Sequence, residues 1–374
     1  MAGRQEMEKK EMRRHVVLIP AYEPGDVLVS YVGELRKAGF SHILVVDDGS
    51  GEAYQPVFAK LEGRAQVIHH ECNKGKGAAL KTGCRWIREN LPESTGIITA
   101  DADGQHRPED CAALSDALAE QDQEKVLLLG TRDFSLSQVP LRSRMGNRIT
   151  TFSFALLYGK VVMDTQTGLR AFRSGLCGFM EGIPGDRFEY EMNVLVECAK
   201  SRIPMIPVPI ETVYEENHSS HFNTIKDSYR VYKVLFGGFF RFTGSSIIST
   251  LIDQGLFNLL NLALFQNGSI KAAKYIFLST VIARLVSASA NFAMNRSFVF
   301  GKDNDGKKAF LKYALLCALI MLLSAGGTWA VSTMGLNSTV SKLIVDVLLY
   351  IMSYRVQSAW VFASGKTEGI SDDP

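Results

Sequence analysis

The feature that most limits how this chain can fold is the segregation of its apolar residues. Four windows, Thr243–Phe265, Tyr275–Ala293, Tyr313–Val331 and Leu343–Val361, lie in the last third. Each is long enough to cross ~30 Å of hydrocarbon as a helix. The charges thin out there: Met1–Gly238 holds 29 Lys+Arg against 32 Asp+Glu, Phe239–Gly365 holds 11 against 4, and Lys366–Pro374 holds 1 against 3. A mean hydropathy of +0.04 therefore averages two unlike parts. Disorder, a collagen-like fibre and an all-soluble protein are excluded. With no basic stripe, nucleic acid is not an expected partner.

The windows form two pairs that look duplicated. Arg241-Phe242 before the first matches Lys312-Tyr313 before the third, and Asn291–Phe300 after the second matches Ser353–Phe362 after the fourth, at offsets of 71 and 62. Two helices per unit return the chain to its starting side. Lys226, Arg230, Lys233 and Arg241 precede the first window, Arg296, Lys302, Lys307, Lys308 and Lys312 separate the pairs, and Lys366 follows the last. The opposite loops hold only Lys271, Lys274 and Lys342. The positive-inside rule then puts both termini in the cytosol. The charged start, MAGRQEMEKKEMRRH, has no apolar h-region of a signal peptide. Six cysteines without C-x-x-C fit a reducing environment. Asp253, Arg284 and Asp346 are functional candidates because charge in lipid is expensive; mutual pairing that holds the bundle together is the alternative.

Ahead of this lies a different pattern. Short apolar runs at His15–Pro20, His42–Asp48, Ala65–His70, Gly96–Asp103 and Lys125–Arg132 read as strands. Gly25–Ala38, Ala53–Leu61, Gly75–Asn90 and Pro108–Gln121 have helical spacing. Near-continuous apolar strands alternating with helices predict a parallel sheet covered on both faces, with ligands beyond the carboxyl ends of its strands. A mixed segment over Thr150–Thr212 includes the extended run Ile203–Ile210.

The polar clusters fall at those strand ends. Asp101-Ala-Asp-Gly-Gln105 offers two carboxylates and an amide oxygen, a hard site for Mg²⁺ or Mn²⁺ that leaves positions for substrate phosphates; a plain turn is the alternative. Asp47-Asp-Gly-Ser50 can accept hydrogen bonds from a base or a ribose, or merely close an Asx turn. Pro20-Ala-Tyr-Glu-Pro24 stands where a dinucleotide dehydrogenase needs G-x-G-x-x-G. Asn73-Lys-Gly-Lys-Gly77 opens a helix with two cations suited to phosphate, without P-loop spacing. Arg132, Arg142, Arg144 and Arg148 can grip phosphate oxygens bidentately or form a solvated helix face.

Together, PAYEPGD, VVDDGS, NKGKGAALKTG, DADGQHRPED, GTRDF, RSRMGN and DTQTGLRAF resemble family 2 glycosyltransferases of the GT-A fold. The nearest group is similar to dolichyl-phosphate mannose synthase and its polyprenyl-phosphate glycosyltransferase relatives. The resemblance covers His15–Phe172 and, more weakly, runs on to about Tyr232. It implies that Asp47 and Glu23 meet the base or ribose, that Asp101, Asp103 and Gln105 hold the metal and diphosphate, and that Arg132 and one of the following arginines contact phosphate. The expected donor set is Pro20, Tyr22, Glu23, Asp47, Asp48, Asn73, Lys76, Asp101 and Ala102, with Asp103, Arg132 and Arg144 catalytic. Relatives often end this domain with an Arg and G-x-S-K; here Tyr214–Phe222 lacks the basic residues, so a phosphate role for Ser220 and His221 is not carried over. The last third resembles the GtrA-like family through Leu251–Leu256 (LIDQGL) and Asn295–Phe300 (NRSFVF).

Transfer to a hydroxyl needs a carboxylate base, for which Glu189 and Glu191 are candidates. A lipid monophosphate, with a second pKa of about 6, is already an anion and needs cationic positioning instead. Clustered arginines before a membrane domain, with no Q-x-x-R-W motif of processive synthases, favour the lipid acceptor. The expectation is an α/β GT-A domain over 15–223, an interfacial connector over 224–240 and an all-α four-span domain over 241–365, between tails 1–14 and 366–374. It would be an inverting, metal-dependent hexosyltransferase acting on the cytosolic face. A UDP- or GDP-linked sugar, polyprenyl phosphate, the bilayer and a second copy of the chain are its expected partners. A lipid-linked sugar translocase and a transferase acting on polysaccharide or protein hydroxyls are the competing readings.

Overall fold

Seven strands form one sheet in the order β3-β2-β1-β4-β6-β5-β7. They are β1 (Arg13–Ala21), β2 (Phe40–Asp47), β3 (Gln66–His69), β4 (Gly96–Thr99), β5 (Leu127–Arg132), β6 (Arg170–Arg173) and β7 (Met205–Ile210). The computed structural model describes residues 13–136, 139–211, 224–265, 272–301 and 304–363. All pairings are parallel except those of β6, which runs antiparallel between β4 and β5. The sequence did not announce β6: four residues, Arg-Ala-Phe-Arg, give too little period to read. Tyr214–Phe222 lies outside the described residues.

The strand period of two divides the core between the two faces of the sheet. Val17 and Ile19 of β1 pack in one cluster with Leu28, Tyr31, Val32 and Leu35 of α1 (Val27–Lys37) and with Leu114 and Leu118 of α4 (Pro108–Ala119). Leu18 points the other way, against α3 (Lys76–Asn90), where Gly83 leaves no room for a side chain. A Cβ on Gly83 would stand 2.2 Å from Leu18 Cδ1. The remaining helices of this part are α2 (Gln55–Ala59), α5 (Leu141–Tyr158), α6 (Cys177–Gly182) and α7 (Glu189–Lys200). The expected fold class, a mostly parallel sheet with helices on both faces followed by a helical domain, is what the chain adopts.

Contacts divide the chain into two units, Met1–Leu235 and Phe236–Pro374. The expected connector and first span form one helix, α8 (Thr224–Phe265): no proline interrupts the stretch, and the helix runs through Gly237-Gly238. At about 1.5 Å per residue, its 42 residues run roughly twice the hydrocarbon thickness. Beyond it come α9 (Ala272–Met294), α10 (Gly306–Thr333) and α11 (Ser338–Val356). Among the described residues three stretches are long and apolar enough to cross a membrane: Ile225–Leu260, Ile276–Val299 and Gly306–Thr333. Helix α11 carries Lys342, Asp346 and Arg355 and is not among them.

The duplicated segments meet each other inside the second unit. Both end in a short π-helical stretch, Asn295–Val299 and Gln357–Val361. Asn295 Nδ2 donates to Gln357 Oε1 at 2.9 Å, and the Phe300 and Phe362 rings stack at 5.1 Å and 13°. These are equivalent positions at the offset of 62, so a local twofold relates the two hairpins. Asp253 pairs with Arg284 at 3.3 Å and accepts from Ser287. Asp346 instead accepts from Ser324 and Lys342 of its own hairpin.

Candidate active site

The sheet order reverses at β1, whose neighbours β2 and β4 lead in opposite directions along the chain. At such a switch point the loops separate and leave a crevice. The turn after β4 carries Asp101 and Asp103 into it. Gln105 N donates to Asp103 Oδ1 at 3.1 Å, which closes the turn, and His106 Nδ1 accepts from Asp101 N at 3.1 Å. His106 lies in the recognised motif, but spacing alone gave it no role.

Lys76, the first residue of α3, reaches across to these acids. Its Nζ stands 2.6 Å from Asp101 Oδ1 and 2.9 Å from Glu191 Oε1 on α7. Burial works against the Asp101 charge, but Lys76, followed by His106, outweighs it and holds the carboxyl at about 2. Asp103 goes the other way: burial, then the charge of Asp101, raise its carboxyl. Two acids of one turn thus differ because only Asp101 has the ammonium against it. Gly168 completes the pocket wall. An added Cβ there would lie 2.7 and 3.0 Å from the Asp101 oxygens and 3.0 Å from Lys76 Nζ.

Arg132, at the end of β5, is fixed by Asp164: Nε to Oδ2 is 2.7 Å and Nη2 to Oδ1 is 3.0 Å. Its guanidinium also lies over Phe134 at 5.0 Å. Arg170 donates to the carbonyls of Thr167 and Glu191. Arg144 Nη2 donates to Leu136 O at 2.7 Å, while Arg148 is exposed. The side chain of Arg142 lies outside the described residues.

On the β2 side, the acids are engaged within the protein. Asp47 Oδ1 accepts from Ser50 N and Oγ, and Oδ2 accepts from His69 Nδ1. Asp48 accepts from His70 Nδ1 and from the amides of Lys74 and Gly75, so it already occupies the entrance to α3 that the sequence offered to phosphate. Glu23 adopts φ 48°, and its N donates to Ser50 Oγ at 2.8 Å. A hydrogen bond to Glu23, then burial, raises the Tyr22 phenol. Asn73 accepts from Arg187 at 3.3 Å. Pro20, one residue before the end of β1, pairs with Val46, and Ala102 lies between the two acids of the turn. The structure brings Lys76, Asp101, Asp103 and Arg132 into one charged group beyond the strand ends, and places Glu23 in the loop after β1. It adds Gly168, His69 and Asp164, whose roles need contacts far apart in sequence, and ties the candidate base Glu191 to Lys76.

The donor set fits a divalent cation. Two carboxylates of one turn supply hard oxygens, and the half-buried Asp103 lacks the directly paired ammonium that Asp101 has. Among the described residues no group of three or more His, Cys, Asp or Glu is placed to hold a metal. Gln105, water and substrate oxygens would have to complete the shell.

Helix α5 is inverted in polarity. Asn147 and Thr150 are buried, bonded to Thr165 and to the Met163 carbonyl. Leu141, Met145, Ile149 and Phe152, one stripe at spacings of four, four and three, are exposed.

Comparison with known proteins places these observations. Residues 16–178 match the Glycosyl transferase family 2 profile and residues 232–362 match the GtrA/DPMS transmembrane domain. The polyprenol monophosphomannose synthase of Mycolicibacterium smegmatis is 30% identical over 56% of this chain and 81% of its own length. The UDP-N-acetylglucosamine–dolichyl-phosphate N-acetylglucosaminyltransferase of Methanococcus voltae is 28% identical over 58% of this chain and 92% of its own. Glucosyl-3-phosphoglycerate synthase from Mycobacterium tuberculosis, solved with Mn²⁺, UDP and glucosyl-3-phosphoglycerate, overlays 63% of this chain and 83% of its own at 14% identity and TM-score 0.47.

Proposed function

The chain belongs to glycosyl transferase family 2 and carries a GtrA/DPMS transmembrane domain, and from that premise we propose that it moves a hexose from a UDP- or GDP-linked sugar to polyprenyl phosphate. Transfer inverts the anomeric carbon and takes place on the cytosolic face of the membrane. The enzyme has a catalytic domain over 15–223, a connector at the start of α8, and four spans within 241–365.

The observation that carries this reading is the Asp101–Asp103 turn at the switch point, with Lys76 against one acid and Arg132 fixed nearby. Asp101, Asp103 and Gln105 would hold Mg²⁺ or Mn²⁺. When bound, the ion supplies positive charge for the departing diphosphate. The chain's own residues do the rest. Lys76, released from Asp101, keeps its bond to Glu191 and remains within the crevice as a second cation for donor phosphate. Asp164 holds the Arg132 guanidinium in one plane, ready for bidentate contact with phosphate oxygens. Arg144, with Arg142 and Arg148, offers positive charge to the acceptor phosphate. Glu23, Tyr22 and the Asp47–Ser50 turn define the nucleoside end.

The acceptor follows from what is committed elsewhere. Glu191 is tied to Lys76, and Glu189 Oε1 accepts from the amides of Asp186 and Arg187, so as bases for a hydroxyl Glu191 is committed and Glu189 keeps only Oε2 unbonded. A lipid phosphate needs no such base. The inverted α5 supports the same acceptor: an apolar stripe interleaved with Arg144 and Arg148 suits a headgroup boundary. The Lys and Arg distribution supports the cytosolic side.

The deciding test is label transfer from radioactive donor in membranes holding the wild type or Asp103→Ala. Wild type should give organic-phase product labile to mild acid, and Asp103→Ala should lose it. Aqueous or protein-bound label would move the acceptor to a hydroxyl, and undiminished transfer by Asp103→Ala would remove the metal role.

A further inference from the structure

The acid expected at the nucleoside end is closed to solvent. The Asp47 side chain is 2% exposed; Oδ1 takes two hydrogen bonds from Ser50, at 2.9 and 2.6 Å, and Oδ2 takes one from His69 Nδ1 at 2.8 Å. An ionised carboxylate only accepts, so His69 Nδ1 is the donor, and in the neutral imidazole Nε2 on the far side of the ring keeps its lone pair. This tautomer is assigned from the Asp47 bond.

His69 itself is open, with its side chain 44% exposed. Strands β2 and β3 pair in register so that Asp47 stands opposite His69, and Phe58 meets the imidazole edge-on at 5.5 Å and 83°. The adjacent dyad differs. His70 is buried, with Nδ1 on Asp48 and Nε2 on Thr82 Oγ1 at 3.0 Å. Of two consecutive Asp–His pairs, one is sealed and the other presents an acceptor at the carboxyl edge of the sheet.

We propose that His69, through Nε2, reads the nucleobase of the donor, and that Asp47 acts from behind it as a positioning residue. The inference rests on the reading of this crevice as a nucleotide-sugar site. A lone pair at that point selects bases with a ring N–H, uracil at N3 or guanine at N1. It rejects adenine and cytosine, whose corresponding ring nitrogens are themselves acceptors. A buried carboxylate makes the His69 ring more electron-rich and fixes its plane, which sharpens that preference.

Calorimetric titration of the full-length protein in detergent with UDP, GDP, ADP and CDP in Mg²⁺ tests this, alongside 3-methyl-UDP and 1-methyl-GDP. UDP or GDP should bind best, and methylating its ring nitrogen should weaken binding at least about tenfold. In His69→Asn the amide nitrogen can replace Nδ1 toward Asp47 while nothing replaces Nε2. That variant should bind the preferred nucleotide at least about tenfold more weakly and lose the methyl discrimination, with an unchanged unfolding temperature. His69→Gln, whose amide oxygen can approach the Nε2 position, should recover part of both. An unaltered affinity and methyl penalty in His69→Asn would overturn the proposal, as would ADP or CDP binding as well as the others. Should His69→Asn fail to fold, the methylated nucleotides on wild type and His69→Gln still decide. Failure of the wild type to bind any nucleoside diphosphate would instead reject the donor reading itself.

Discussion

Replacing Gly168 by Ala tests whether the position of Asp101 controls turnover. The backbone of Gly168 lies outside the left-handed region, so alanine meets no conformational penalty there. Its carbonyl accepts from Thr99 Oγ1 at 2.8 Å, which holds the segment in place. The new methyl would stand 2.7 and 3.0 Å from the two Asp101 oxygens and 3.0 Å from Lys76 Nζ, where ordinary contact begins at 3.4 Å. Asp101 and Lys76 must therefore retreat by roughly 0.4–0.7 Å, and their own 2.6 Å bond makes them move together. Misplacing a reacting group by about 1 Å costs on the order of 10²-fold. Transfer of label to lipid should fall by about that factor, roughly 2.7 kcal/mol of barrier. The adjustment is made by side-chain ends, so the unfolding free energy should change by less than about 1 kcal/mol. Both are read on one preparation, by product extraction and thermal unfolding. Turnover within about threefold of wild type, on a protein that still folds, would refute the claim that Asp101 must stand where it does.

Other variants probe the neighbouring contacts. Lys76→Met removes the main group that opposes burial at Asp101, which is held at about 2 against an ordinary 3.8. Because the folded value is the lower one, the ionised form favours the fold. That stabilisation is complete above about 3.8 and is lost as pH falls through about 2. The gap in unfolding temperature between wild type and Lys76→Met should be widest near neutrality and close as pH falls through that window; a gap independent of pH would reject the pairing. Asp164→Ala leaves Arg132 without its bidentate partner at a fully buried position, so denaturant unfolding should show a loss of about 3–5 kcal/mol. Ile149→Glu with Phe152→Glu charges an already exposed stripe, so the unfolding temperature should hold while KM for polyprenyl phosphate rises at least tenfold and KM for the donor stays put. An unchanged acceptor KM would separate α5 from the lipid.

What could be read in the sequence, and what could not, divides along a physical line. The strands from His15 to Arg132 were legible because buried parallel strands are near-continuous apolar runs, and their order along the chain needed no long-range information. Helix α3 announced itself through apolar spacing and the glycines before it. Strand β6 did not, since its place between β4 and β5 is dictated by tertiary pairing rather than by four residues of pattern. The duplication in the second unit was visible as repeated strings, and the Asn295–Gln357 bond and the Phe300–Phe362 stack show the matching residues brought face to face.

Within the crevice the same division separates residue type from residue state. Sequence motifs located Asp47, Asp48, Asp101 and Asp103, four acids at two strand ends, and could not tell them apart. The structure does, through partners 22 to 25 positions away: His69 and His70 hydrogen-bond the first two, Lys76 pairs with the third with Glu191 behind it, and Asp103 has no cation in direct contact among the described residues. Carboxylates gathered at the ends of β2 and β4, on either side of β1, carry like charge, and the fold answers with a cation or hydrogen-bond donor for three of the four. The remaining one marks where charge must be supplied from outside. On the function proposed above, the divalent ion and donor diphosphate would sit beside Asp103, the acid that the closed pairs at Asp47 and Asp48 leave as the site for added charge.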